Sequence, residues 1–130
     1  MVNFRKFETK NKTLILAGKD AKNNEDLVAQ AGKDEEVFHT AKPGSPFVNI
    51  KGKLKPGDIK HAAVFCAFKS QDWRDNKKDV IVHRFKGKDI YKEKTMKLGT
   101  FGVKNKKIIK VKKEWIKEFE KTNRSKQVGH

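Results

Sequence analysis

Polar and apolar residues alternate loosely from Asn3 to Thr9, with Phe4 and Phe7 as the apolar members. Asn11-Lys12 offers a turn, Thr13 to Ala17 reads as a strand, and Gly18 ends it. Two short apolar runs around a turn predict a β-hairpin. From Lys19 to Ala31 the period changes to that of a helix: Leu27, Val28 and Ala31 share one face. Asn23 or Asn24 can cap this helix, because a short side-chain oxygen accepts from the orphan N–H groups of a first turn. The same asparagines are also candidates to face a ligand. Glu25 and Asp26 then fall where the helix dipole favours negative charge, and Gly32 is a natural stop.

Glu36 to Thr40 and Phe47 to Lys51 read as strands. Gly52-Lys53 and Lys55-Pro56-Gly57 punctuate the chain after them. Asp58 is placed to cap a helix running from Ile59 to about Lys69. Its interior, Ala62 to Phe68, is apolar nearly all round, which calls for burial on more than one side. Ala62, Ala63 and Ala67 are small enough to let a sheet approach closely. Cys66 among them reads as a small hydrophobe, with no charged neighbour to favour a thiolate.

Ser70 to Lys78 is polar apart from Trp73 and reads as a connection. Trp73 fits the edge of the core or a base-stacking role. Asp79 to Phe85 is the clearest strand in the chain, broken by Gly87. Asp89 to Lys92 begins a further strand or loop. Gly99 and Gly102 flank Phe101 and predict a turn or bulge. After a turn at Asn105–Lys107, Ile108 to Val111 forms a last strand. Lys113 to Lys121 follows as a helix with Trp115, Ile116 and Phe119 on one face. The whole predicts an α+β fold: one compact domain over residues 1–121, with a small mixed or antiparallel sheet packed on a buried central helix. A short amphipathic helix closes the domain, and 122–130 is a polar tail.

Between the strands at Val37-Phe38 and Phe47-Val48 lies His39-Thr40-Ala41-Lys42-Pro43-Gly44-Ser45-Pro46. Two prolines stiffen this loop, and Gly44 can take positive φ at no steric cost. A stiff loop with a cation and an imidazole at its rim can hold a phosphate or carboxylate. It is equally the form of an ordinary reverse turn between strands.

Charge narrows the choice of partner. The chain has 130 residues, with 32 Lys and Arg against 16 Asp and Glu, a net +16. Met1 to Asp75 carries 14 basic and 10 acidic residues, whereas Asn76 to His130 carries 18 and 6. So one-sided a field attracts polyanions: nucleic acid first, an anionic membrane surface as the rival. Lys86, Lys88, Lys92, Lys94 and Lys97, with Lys60 and Arg84, are candidate backbone contacts. Phe85, Tyr91, Phe101 and Trp115 interleave with these lysines, as in surfaces that stack single-stranded bases. Most of these rings are expected in the core. One cysteine excludes an internal disulfide. No run approaches a membrane span and the first residues carry no apolar signal segment, so the expected setting is cytoplasmic.

Enzyme templates fit poorly. No Gly-Xaa-Ser-Xaa-Gly elbow and no phosphate-binding Walker loop occur. His39, His61, His83 and His130 are scattered singly, so their spacing supports no metal site. His39 can serve as a general base only if folding brings it a partner; otherwise it pins the loop. No cofactor is implied and a small-molecule ligand is not expected.

The order of motifs is more informative than any one of them. Gly18-Lys19, Asn23-Asn24-Glu25, Asp34 with Phe38-His39, and Lys42-Pro43-Gly44-Ser45 are followed by an alanine-rich helix and a basic hairpin. Over roughly Leu14 to Val111 this order resembles the NFACT-R domain, the RNA-binding module of large ribosome-associated quality-control proteins. The resemblance implies RNA binding, with transfer RNA or ribosomal RNA as target and the ribosome or an RNA-modifying enzyme as further partners. The positions that match its motifs are Gly18, Lys19, Asn24, His39, Pro43, Gly44 and Ser45. Lys19 stands where the family usually has arginine, and lysine lacks the bidentate fork, so a phosphate contact there is expected to be weaker. The additional domains of the quality-control proteins have no counterpart in these residues. The resemblance is therefore to a stand-alone module, and tail elongation does not carry over.

Overall fold

The computed structural model describes residues 2–128, and side chains as far as residue 123. Six strands form one antiparallel sheet: β1 (Arg5–Glu8), β2 (Leu14–Ala17), β3 (Glu36–Thr40), β4 (Val48–Ile50), β5 (Val80–Lys86) and β8 (Lys107–Val111). Their order across the sheet is β1-β2-β4-β3-β5-β8. Two two-residue strands, β6 (Ile90–Tyr91) and β7 (Gly102–Val103), pair separately. Four helices complete the fold: α1 (Ala21–Gln30), α2 (Asp58–Phe68), α3 (Gln71–Asn76) and α4 (Lys113–Val128). The α+β class, the buried central helix and the C-terminal helix expected from the sequence are all present. The sheet is antiparallel throughout.

Strand alternation divides the apolar residues between two faces. Ile15, Ala17, Phe38, Val48, Ile50, Val80 and Val82 pack against α2, with Ile116 of α4 and Trp73 of α3. Residues an odd number of positions away, Leu16, Val37 and Phe85, point to the other face, where Leu27 of α1 and Phe47 meet them. The apolar circumference of α2 is thus explained: the sheet covers one side and α4 another. Phe65 stacks on Phe7 at 5.4 Å and meets Phe119 at 5.9 Å. Cys66 is fully buried, and burial pushes its thiol up to about 12, so it packs as an inert hydrophobe.

Four local details differ from the sequence reading. The cap of α1 is Asp20, whose carboxylate accepts from Asn23 N at 2.8 Å. Both asparagines are engaged elsewhere, as described below. Asp58 is the first residue of α2 rather than its cap. It is buried, and its Oδ2 accepts from Thr13 Oγ1 at 2.9 Å and from Lys55 N at 2.8 Å. Within Ser70–Lys78 lies α3, capped by Ser70 Oγ accepting from Trp73 N at 3.1 Å. At six residues it is too short to display a periodic face, but it puts Trp73 in the core, 3% exposed. Lastly, α4 continues past Lys121 to Val128, through most of the stretch read as a tail; residues 129–130 lie outside the described residues.

Candidate nucleic-acid interface

On the α1 face of the sheet, the loop between β3 and β4 closes one end of an open cleft of about 880 Å³. The loop is rigid for reasons visible in its bonds. Gly44 has φ of +91°. Ser45 Oγ accepts from Thr40 N at 3.1 Å, Thr40 Oγ1 donates to Lys42 O at 2.6 Å, and Gln71 N donates to Gly44 O at 2.8 Å. The last bond fixes the loop to the start of α3.

The floor comes from β3, β5 and Phe47. His39 and His83 are cross-strand partners, and both line the cleft. Their alternate neighbours, Phe38 and Val82, enter the core on the opposite face. His39 lies 4.5 Å from the Phe47 ring, centroid to centroid, and its Nδ1 is 2.7 Å from Thr40 O. Only a protonated nitrogen bonds a carbonyl, so this contact favours the proton on Nδ1. Burial lowers the pKa of His39, the Thr40 carbonyl offsets part of this, and His83 adds to the lowering. Burial also lowers His83, with Lys106 contributing. Both imidazoles are therefore neutral at pH 7.

Five cations and one carboxylate line the cleft. The cations are Arg5, Lys19, Lys69, Arg74 and Lys106; the carboxylate is Asp20, already engaged as the α1 cap. Arg5 Nη1 donates to Gly18 O at 3.0 Å, which fixes it at the mouth. Arg74 pairs with Asp75 at 2.9 Å, an exposed pair that costs little to open. Lys19, Lys69 and Lys106 make no ion pair among the described residues. Burial lowers the pKa of Lys69, and the nearby Arg5 adds to the effect. The sequence reading named only Lys19 of these five. Arg5, Lys69, Arg74 and Lys106 are separated in the chain and converge only through the sheet order, so no local pattern marks them.

One wall is the β6–β7 hairpin. Glu25 of α1 holds it in place: its Oε2 accepts from Gly99 N at 2.7 Å and from Lys92 Nζ at 2.8 Å. The Lys92 bond leads the effects that lower the Glu25 pKa, and burial opposes it. Gly99, at φ of +80°, approaches α1 so closely that a Cβ would sit 2.8 Å from Ala21 Cα.

Other residues named from sequence have different surroundings. Asn24 lines the cleft, but its Oδ1 accepts from Phe47 N at 3.1 Å and so ties α1 to the loop. Asn23 accepts from Lys19 N at 2.9 Å and donates to Asn3 O at 3.1 Å. Gly44 and Ser45 line the cleft. Lys42 does not; its amine pairs with Asp72 at 3.5 Å. Arg84 and Lys86 share a face with Val82, opposite the cleft, and pair with the buried Glu36 at 2.7 and 3.3 Å. Burial raises the Glu36 carboxyl, but the two cations outweigh that and hold it below its ordinary value. Lys60 lies over the Trp115 ring at 4.3 Å, beside α4. Lys88 faces Asp34 at 3.8 Å, and Lys94 and Lys97 are exposed between β6 and β7. The focused site expected of Lys19, His39 and Lys42 is therefore assembled without Lys42, and the hairpin lysines do not form one of its walls.

Gly18 owes its place to this site. A Cβ there would stand 1.9 Å from Asn24 Oδ1, the atom that satisfies Phe47 N. Gly18→Ala is expected to lose about 1–3 kcal/mol, the cost of leaving a buried amide unsatisfied. Urea unfolding measures it, and an unchanged midpoint would refute the assignment.

Among the described residues no helix is long and apolar enough to cross a membrane, and no group of His, Cys, Asp and Glu is placed to hold a metal ion. No match was found among curated proteins. A solved structure, the C-terminal part of the fibronectin/fibrinogen-binding protein from Streptococcus suis, superposes with a TM-score of 0.75 at 29% identity. The alignment covers 91% of this chain and 49% of that one, so the present chain spans about half the length of its structural relative. Residues 3–105 match the family described as the NFACT protein RNA binding domain, which gives the chain a generic RNA-binding role. The match includes the loop, both histidines and most of the cleft-lining cations, and the chain belongs to the NFACT RNA-binding domain family.

Proposed function

We propose that the domain binds structured RNA, transfer RNA or ribosomal RNA, by seating part of its sugar–phosphate chain in the cleft beside the His39–Pro46 loop. The observation that carries this reading is the charge of the lining: five cations face one carboxylate that is already bonded. Such a lining attracts a polyanion without discriminating its sequence. Neutral, half-buried imidazoles on the floor add hydrogen-bonding capacity without charge. Lysines outside the cleft, including Lys94 and Lys97, strengthen the long-range field rather than the local grip. The setting proposed for it is the cytoplasm, as an RNA-holding part beside the ribosome or an RNA-modifying enzyme.

Titration of transfer RNA against salt tests the reading. Five neutralised phosphates in a single-stranded segment give a slope of log K against log salt of about −3.5. Binding that is indifferent to salt, or no binding at low salt, would refute it.

A further inference from the structure

Of the twelve aromatic side chains, all within the described residues, Tyr91 alone is exposed. The others in the cleft are committed to packing. Phe47 and Phe85 are buried, and Phe101 meets Phe47 edge-on at 5.3 Å, with Lys92 Nζ 4.6 Å from its centroid. Tyr91 is 39% exposed and stands on the wall of the same cleft. An exposed tyrosine at a random position would be mobile, but this one is not free to turn. Its strand partner is Gly102, and a Cβ on that residue would lie 2.1 Å from the Tyr91 ring. The ring is thus laid against bare backbone, a position that only glycine permits. Lys104 Nζ is 5.6 Å from the ring centroid. The hairpin carrying all of this is bonded to α1 through Glu25.

We infer that Tyr91 is a stacking platform for an unpaired base, and that the cleft takes a single-stranded segment of RNA rather than a duplex. The inference rests on the RNA-binding reading above and sharpens it. The physical argument has three parts. An oriented, exposed ring beside phosphate-binding cations is the arrangement that holds single strands, because every base has a π-face to offer. A base inside a duplex has both faces covered by its neighbours and cannot stack on a side chain. The volume, about 880 Å³, lies toward the upper end of small-ligand pockets (about 300–1,000 Å³), which suits splayed-out nucleotides. Arg5 lies near Lys69 and Lys106 near His83, so cations from separate elements line the same cleft as the ring and are available to phosphates flanking a stacked nucleotide.

The test compares a 12-nucleotide RNA of mixed sequence with the same RNA annealed to its complement, by fluorescence anisotropy on the whole chain. The single strand is expected to bind at least tenfold tighter. Tyr91→Leu keeps apolar contact with Gly102 but removes the π-face. It should weaken single-strand binding about 5- to 150-fold, the range for one lost base stack, with the salt slope unchanged. Tyr91→Phe should bind as the native protein does, and duplex affinity should be the same in all three. Equal affinity for single strand and duplex, or Tyr91→Leu binding like the native chain, overturns the inference and leaves the general RNA-binding reading standing. Failure of both oligonucleotides and of transfer RNA to bind at low salt overturns both.

Discussion

Replacing Lys19, Lys69, Arg74 and Lys106 together by glutamine is expected to weaken transfer RNA binding about 200-fold at 0.15 M salt. The estimate follows from counter-ion release: each phosphate contact on a single strand contributes about 0.6 of a log unit at that concentration. The slope of log K against log salt should flatten from about −3.5 to about −0.7, because Arg5 alone remains. Arg5 is spared because its bond to Gly18 O is structural. All four replaced residues are exposed, so folding should be unaffected. The control changes the same amount of charge elsewhere. Lys60, Lys88, Lys113 and Lys117 do not line the cleft, and their replacement should cost much less and leave most of the slope. Equal losses from the two sets would mean that the net +16 acts as a diffuse field with no focus.

Phe38→Ala is expected to destabilise the domain by about 3–5 kcal/mol, measured by urea unfolding. Phe38 is fully buried at the centre of the cluster between sheet and α2, where no solvent can fill the space left behind. A domain of this size has about 5–15 kcal/mol in total, so the variant should stand near the edge of stability. A loss below about 1 kcal/mol would mean that α2 collapses readily onto the sheet. RNA binding at temperatures where the variant stays folded should be close to native, because Phe38 and its neighbour His39 serve opposite faces of one strand.

That opposition also explains what was legible in the sequence. Alternation and helical period are local, so β3, β5, α2 and the C-terminal helix could be read directly. The motif order around Gly18, Asn24, His39 and Gly44 marks residues that the fold brings together along one cleft. Which charges meet there was not legible. Arg84 and His83 are adjacent in sequence, yet one faces Glu36 and the other the cleft, because successive residues of a strand face opposite ways. A run of lysines reads as one basic surface in sequence, but in the fold Lys86, Lys88 and Lys92 have carboxylate partners from distant segments. Lys69 closes α2, and Arg74 lies inside the segment read as a plain connection, so neither carries a local mark. The short α3 that presents Arg74 has no periodic signature. Asn24 illustrates a different limit: its position at the cleft was expected, but the use of its Oδ1 to bond Phe47 N and hold the loop was not legible.

The hairpin wall has a consequence for motion. Its own pairing is two residues long, and its side-chain hydrogen bonds to α1 run through a single carboxylate reaching residues 67 and 74 positions away. Such a unit opens at a free energy well below that of the six-stranded sheet. The mouth of the cleft is therefore expected to open more readily than its floor, and a guest held between the two sides to slow that opening. Amide exchange at Tyr91 and Gly102 would register an arriving strand even though neither amide touches it.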